Sequence, residues 1–88
     1  MDFEWDPQKE VANIAKHAVD FETAARVFLD PYLYEFDDLT VRSESRINAV
    51  GMVAGRLLRV TFTQRDDVIR IISARGAARS ERRRYHEV

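Results

Sequence analysis

Residues 56–88 read RLLRVTFTQR (56–65), DD (66–67), VIRIISAR (68–75) and GAARSERRRYHEV (76–88). The first and third runs are rich in β-branched and apolar residues, and a short acidic turn separates them. That is the pattern of a β-hairpin. Gly76 then breaks the second strand, and 77–87 reads as a closing helix with Ala78, Tyr85 and the arginine stems as its contact surface. Working backwards, RINAVGMV from Arg46 is a third strand, joined to the hairpin by a turn at Ala54-Gly55. Three strands with tight connections make an antiparallel meander.

Upstream, DFEW at 2–5 alternates polar and apolar residues and reads as a short strand with Phe3 and Trp5 on one face. Trp5 is read as core or as a stacking platform for a base. Asp6-Pro7 then opens a helix: the carboxylate can accept from first-turn N–H groups, and proline at the first helical position sacrifices no hydrogen bond. Val11, Ile14, Ala15 and Ala18 recur at helical spacing and form the expected buried stripe, with Lys9, Lys16 and His17 largely off it. Asp20 caps a second short helix whose Phe21, Ala24, Ala25 and Phe28 repeat at i, i+3, i+4 and i+7. Asp30-Pro31 stops it. Residues 31–45 are the least regular, although Tyr32, Tyr34 and Phe36 alternate as a short strand would.

The expected fold is α+β. A small antiparallel sheet, the meander plus the N-terminal strand, carries two N-terminal helices and a C-terminal helix, in one domain spanning 1–88. At 88 residues the chain is near the lower limit for a self-sufficient core. Without cysteine it has no disulfide, thiolate zinc site or cysteine nucleophile. No apolar run approaches the roughly 18 residues of a membrane span, and MDFEWD is acidic where an export signal is basic, so a cytoplasmic location without membrane contact is expected. The net charge of −1 conceals a split: 1–45 carries −7 and 46–88 carries +6. The split reads either as a positive surface for phosphate or as two halves that neutralise each other.

FEWDP at 3–7, Lys16-His17 followed by V-x-F at 19–21, E-x-R at 44–46, Gly51, Gly55-Arg56, RIISAR at 70–75 and E-x-x-x-Y at 81–85 together resemble the BrnT toxins of bacterial type II toxin–antitoxin modules. The resemblance runs in order over nearly the whole chain. It implies a small RelE-like α+β ribonuclease, neutralised by a BrnA-like antitoxin protein that binds DNA, so that DNA is met only through that partner. Family members usually carry glycine after the Lys-His pair, where this chain has Ala18, and the pI of about 6.1 is low for a ribonuclease toxin. If the backbone at Ala18 is left-handed, alanine there costs on the order of 1 kcal/mol.

Metal-independent RNA cleavage needs a base for a 2′-hydroxyl, an acid for the leaving oxygen, and cations for the charge between them. No Asp/Glu/His set stands at metal-ligand spacing in the sequence, so neither metal nor other cofactor is expected. Arg46 and Arg70 are the expected phosphate-binding residues, with ion pairing to the acidic half as the other reading. His17, Glu44 and Tyr85 are the candidate proton carriers. His17 reads equally as a helix-end cap, Glu44 as the partner of Arg46, and Tyr85 as one half of an i,i+4 packing pair with Glu81. Lys16, Arg59, Arg75, Arg82 and Arg83 are candidate RNA contacts. Arg75 alternatively holds the strand–helix turn, and the 82–84 run alternatively is a solvated helix face. A second function class stays open: a non-catalytic module, derived from a toxin, that only binds an antitoxin or DNA complex. A stand-alone DNA-binding domain lacks a helix-turn-helix signature.

Overall fold

The computed structural model describes residues 1–39 and 45–87. In chain order it contains β1 (Asp2–Trp5), α1 (Pro7–His17), α2 (Phe21–Ala25) continued by a 3-10 turn (Arg26–Leu29), β2 (Tyr34–Asp38), β3 (Arg46–Val53), β4 (Arg56–Arg65), β5 (Val68–Gly76) and α3 (Arg79–Tyr85). The class is α+β, as the sequence implied. No described helix is long and apolar enough to cross a membrane.

Three details of the expected layout are corrected. The sheet has five strands in the order β1-β5-β4-β3-β2, because the Tyr34–Phe36 alternation extends into an edge strand paired antiparallel to β3. It is mixed rather than antiparallel: β1 runs parallel to β5, with Glu4 opposite Arg70. The helices also lie on both faces. α2 and the 3-10 turn bury Phe21, Ala24 and Val27 against Ala49, Leu58, Val60, Phe62, Ile69 and Ile71. On the opposite face α3 covers Val50, which is fully buried outside that cluster.

Aromatic contacts close the first layer. Phe28 stands edge-on to Phe62 at 5.0 Å and lies 5.6 Å from Phe3, and Trp5 meets Phe21 edge-on at 6.0 Å. Trp5 is therefore packed on the core. Gly51 is needed here for close approach: a Cβ on it would lie 3.0 Å from the Val27 carbonyl oxygen and 3.1 Å from the Val27 Cβ.

The expected buried stripe of α1 faces outward. Val11 is 69% exposed and Ile14 44%, whereas Asn13 is 6% exposed. The cause is the edge of β5. Its pairing with β1 ends at Ile71, so the Ala74 amide on that side has no strand neighbour. The Asn13 carboxamide takes the strand's place: Nδ2 donates to the Ala74 carbonyl at 2.8 Å, and Oδ1 accepts from the Ala74 N–H at 3.0 Å. Nδ2 also donates to the Val19 carbonyl at 2.9 Å. One turn earlier on the same face, Glu10 accepts the Phe21 N–H at 2.8 Å. Bare backbone groups at a buried strand edge cost more than two partly exposed aliphatic side chains, so the helix turns its polar face inward.

Asp6 and Asp20 cap their helices as expected, accepting from the N–H groups of Gln8 at 2.9 Å and Thr23 at 3.0 Å. Ala18 ends α1 in the left-handed region (φ 58°, ψ 35°), where glycine is the unstrained residue. Ala18→Gly should stabilise the protein by about 1 kcal/mol and raise its thermal midpoint by roughly 4–8 °C in a melting experiment. Asn13→Ala should cost about 2–4 kcal/mol, because it strands the Ala74 and Val19 backbone groups, and hydrogen exchange should accelerate selectively at Ala74.

Candidate functional site

Strand register sorts the side chains of the second sheet face into three rows. Tyr34, Val50, Arg59 and Arg75 form one, and Phe36, Asn48, Thr61 and Ser73 the next. In the third, Asp38 pairs with Arg46 and Thr63 with Arg70, which is flanked by Glu4 of β1. The Ile47–Phe62 pairing sets Arg46 beside Thr63, so this row is continuous across the sheet. Simple alternation along β5 expects Arg70 to share a face with Ile72 and Ala74, and that expectation fails. An irregularity between Thr61 and Phe62 pairs them with Ser73 and Ile71 and skips Ile72, which turns Ala74 to the core and Ser73 and Arg75 to the face of Arg70.

α3 roofs the first row. Glu81 is only 9% exposed, and its carboxylate gathers four donors: the Ala78 N–H at 2.7 Å, Arg75 at 3.0 and 3.3 Å, and Arg59 at 3.2 Å. Burial by itself would raise the Glu81 carboxyl. The Ala78 N–H, Arg75 and Arg59 outweigh it and hold the group below its ordinary range. Arg75 also donates to the Gly76 carbonyl at 2.9 Å, so it holds the strand–helix turn. The Tyr34 hydroxyl donates to the Glu81 carbonyl at 2.9 Å. The far end of α3 is fixed by Asp30, whose carboxylate accepts from the Tyr85 hydroxyl at 2.5 Å, the Met52 N–H at 2.7 Å and the Tyr32 N–H at 2.9 Å.

The candidate residues therefore divide. Arg59 and Arg75 are brought together, but on Glu81. Tyr85, expected among the proton carriers, is drawn to Asp30, and that hydrogen bond followed by burial pushes its phenol up to about 12. Arg82 reaches back to the Ala77 carbonyl at 3.3 Å, and Arg83 is exposed in a shallow depression with Ala78, Arg79 and Ser80. Glu44 lies outside the described residues. Arg46 and Arg70 share the third row, Arg46 half-buried and Arg70 exposed. Arg70 and Glu4 form an ion pair at 3.5 Å, with side chains 48% and 54% exposed. Around them Thr63, Arg65 and Val68 complete a cleft. His17 and Lys16 sit at the sheet's rim, where α1 and β5 form an open groove with Lys9, Asn13 and Ser73.

Between roof and arginine row the floor is polar: Thr61 donates to Asn48 at 2.6 Å, and both are buried. Glu4 is the member of this site that the sequence reading missed. It stands inside FEWDP on the polar side of an alternating strand, but only the parallel register with β5 brings it to Arg70. Among the described residues no group of three or more His, Asp or Glu gathers closely enough to hold a metal ion.

A sheet face on which guanidinium and hydroxyl groups line up has the charge and donors that a phosphodiester requires. Comparison with known families gives the class: residues 5–81 match the family model for a ribonuclease toxin of type II toxin–antitoxin systems. That family is BrnT, and the chain belongs to it. No curated protein matches the chain.

Because the Glu81 carboxyl is held below its ordinary value of 4.5, the stability it contributes is complete above that pH. It is lost as the pH falls through the lowered folded value. Glu81→Gln should cost about 2 kcal/mol at neutral pH, as it leaves Arg59 and Arg75 without their carboxylate. Its thermal midpoint should then fall less steeply than the parent's between about pH 5 and about pH 3 in a melting series.

Proposed function

We propose that this protein is a metal-independent endoribonuclease toxin that takes RNA across the arginine row of its second sheet face. A BrnA-like antitoxin would be its neutralising partner, and DNA would be met only through that partner. The observation that carries the reading is the row from Asp38 to Glu4, which holds two guanidinium groups with a hydroxyl between them and a carboxylate beside each.

In this reading Arg46 and Arg70 bind the scissile phosphate and stabilise the charge that grows on it. Glu4 stands directly beside Arg70 on β1, and His17 lies farther along the outer edge of β5, in the groove with Ile72 and Ser73. The 2′-hydroxyl oxygen attacks the adjacent phosphorus and gives its proton to Glu4. The bond from phosphorus to the next 5′ oxygen breaks, and that oxygen takes a proton from His17. The products are a 2′,3′-cyclic phosphate and a 5′-hydroxyl. Lys16 and Lys9 extend the basic rim for flanking phosphates. Arg59, Arg75 and Tyr85 hold α3 and take no part in the chemistry. A chain that only scaffolds its antitoxin would keep the same face but leave RNA intact.

Purified protein should cleave RNA in the presence of EDTA, and Arg70→Ala or Arg46→Ala should slow cleavage by about 100- to 1,000-fold. The Arg70 variant should melt within a few degrees of the parent, since an exposed ion pair contributes at most about 1 kcal/mol. Tyr85→Phe should lower the melting temperature and leave the cleavage rate constant unchanged below it. Cleavage that stops on chelation, or that survives loss of both arginines, refutes the mechanism. Intact RNA together with normal growth on induction without antitoxin selects the scaffolding role.

A further inference from the structure

Across the first and second rows lies a cluster that the proposed chemistry does not use. Tyr34 and Phe36 of β2 stack with ring centroids 6.0 Å apart and planes inclined by 26°. The Arg84 guanidinium, carried on α3, sits 4.4 Å from the Tyr34 centroid and 5.9 Å from that of Phe36. Arg84 is exposed and Phe36 half-buried, so this layered surface is open to solvent beside the Asn48–Thr61 floor.

We infer that Phe36 and Arg84 form a nucleobase-stacking subsite, which holds an unpaired base of the RNA whose phosphate lies on the arginine row. The inference rests on the reading that RNA crosses this face. Aromatic rings and arginine planes are the two side-chain surfaces on which unpaired bases stack, and here they are already aligned with each other. Register supports the assignment. Phe36 precedes Asp38 by two residues on β2, and Asp38 pairs with Arg46, so the ring lies one row, roughly 7 Å, from the arginine row. That separation suits a base and its own backbone phosphate. The charge also fits: Arg84 adds a cation on the roof side of Phe36, whose other side is the arginine row. Tyr34, with its hydroxyl committed to Glu81, serves as the backing that fixes the guanidinium plane. Phe36 and Arg84 are thus positioning residues that select where the strand is cut.

The test uses an uncleavable 2′-deoxy oligonucleotide carrying one 2-aminopurine, whose fluorescence is quenched on stacking, and a control of equal length with an abasic site there. The parent protein should quench the probe and bind it about 5- to 150-fold more tightly than the abasic control. Phe36→Leu, which retains apolar volume, and Arg84→Ala should each abolish the quench and bring both ligands to equal affinity. With RNA, both variants should redistribute the cleavage positions, with KM raised more than kcat is lowered. Quenching and cleavage positions unchanged in both variants overturn the subsite and leave the ribonuclease reading standing. Absence of any oligonucleotide binding by the parent overturns the subsite as well, and absence of RNA cleavage separately overturns the ribonuclease reading.

Discussion

A strand that outruns its neighbour leaves amide groups that water reaches poorly, and the fold must satisfy them. In this protein β5 outruns β1, and one carboxamide, that of Asn13, answers the need at Ala74. Much of the architecture follows from that bond. It fixes the roll of α1 about its axis and so sends Val11 and Ile14 outward. It also ties the exit of α1 to β5 through Val19, so that α2 can begin at Phe21 over the core. The same roll brings Lys16 and His17 to the rim of the groove beside Ser73. A hydrogen bond at a sheet edge therefore decides which basic residues border the second face.

The second constraint is Glu81. A carboxylate with four donors and little exposure is already matched, and separating it from two guanidinium groups would leave all three poorly compensated. That makes α3 a fixed roof over one end of the face. Arg59 and Arg75 look from sequence like the natural continuation of an arginine surface, yet both are directed onto Glu81. Glu81, Arg59 and Arg75 all belong to the basic half, so this cluster is no neutralisation between the halves; the exposed Arg70–Glu4 pair is a contact that does join them.

Legibility followed the range of the interactions involved. Residue alternation marked β3, β4 and β5, and the Asp6, Asp20 and Asp30-Pro31 signals marked the helix ends, because these depend on neighbours in sequence. The left-handed backbone at Ala18 was also legible, through the glycine usual at that point in the family. What escaped depended on contacts between distant segments. The inward turn of Asn13 needs Ala74, sixty-one residues away. The side of the sheet on which Arg75 stands depends on a bulge at Ile72, and bulges leave no trace in apolar periodicity. Glu4 acquires meaning only through parallel pairing with β5, and Tyr85 only through Asp30.

The contrast between the two kinds of arginine contact decides where a polyanion would settle. Displacing Glu81 means breaking several hydrogen bonds at 2.7–3.3 Å in a nearly closed environment, a cost of several kcal/mol. Displacing Glu4 from Arg70 means giving up one 3.5 Å pair whose partners are about half exposed, which costs at most about 1 kcal/mol. A phosphate offers Arg70 more acceptor oxygens than Glu4 does, and at closer range it more than repays that loss. A carboxylate so displaced stays next to the phosphate with its lone pairs released. A general base must occupy that position at the moment a 2′-hydroxyl is to lose its proton. In the proposed reading the weakness of the Glu4–Arg70 pair is what suits it to a reactive site, just as the strength of the Glu81 cluster suits it to holding a helix.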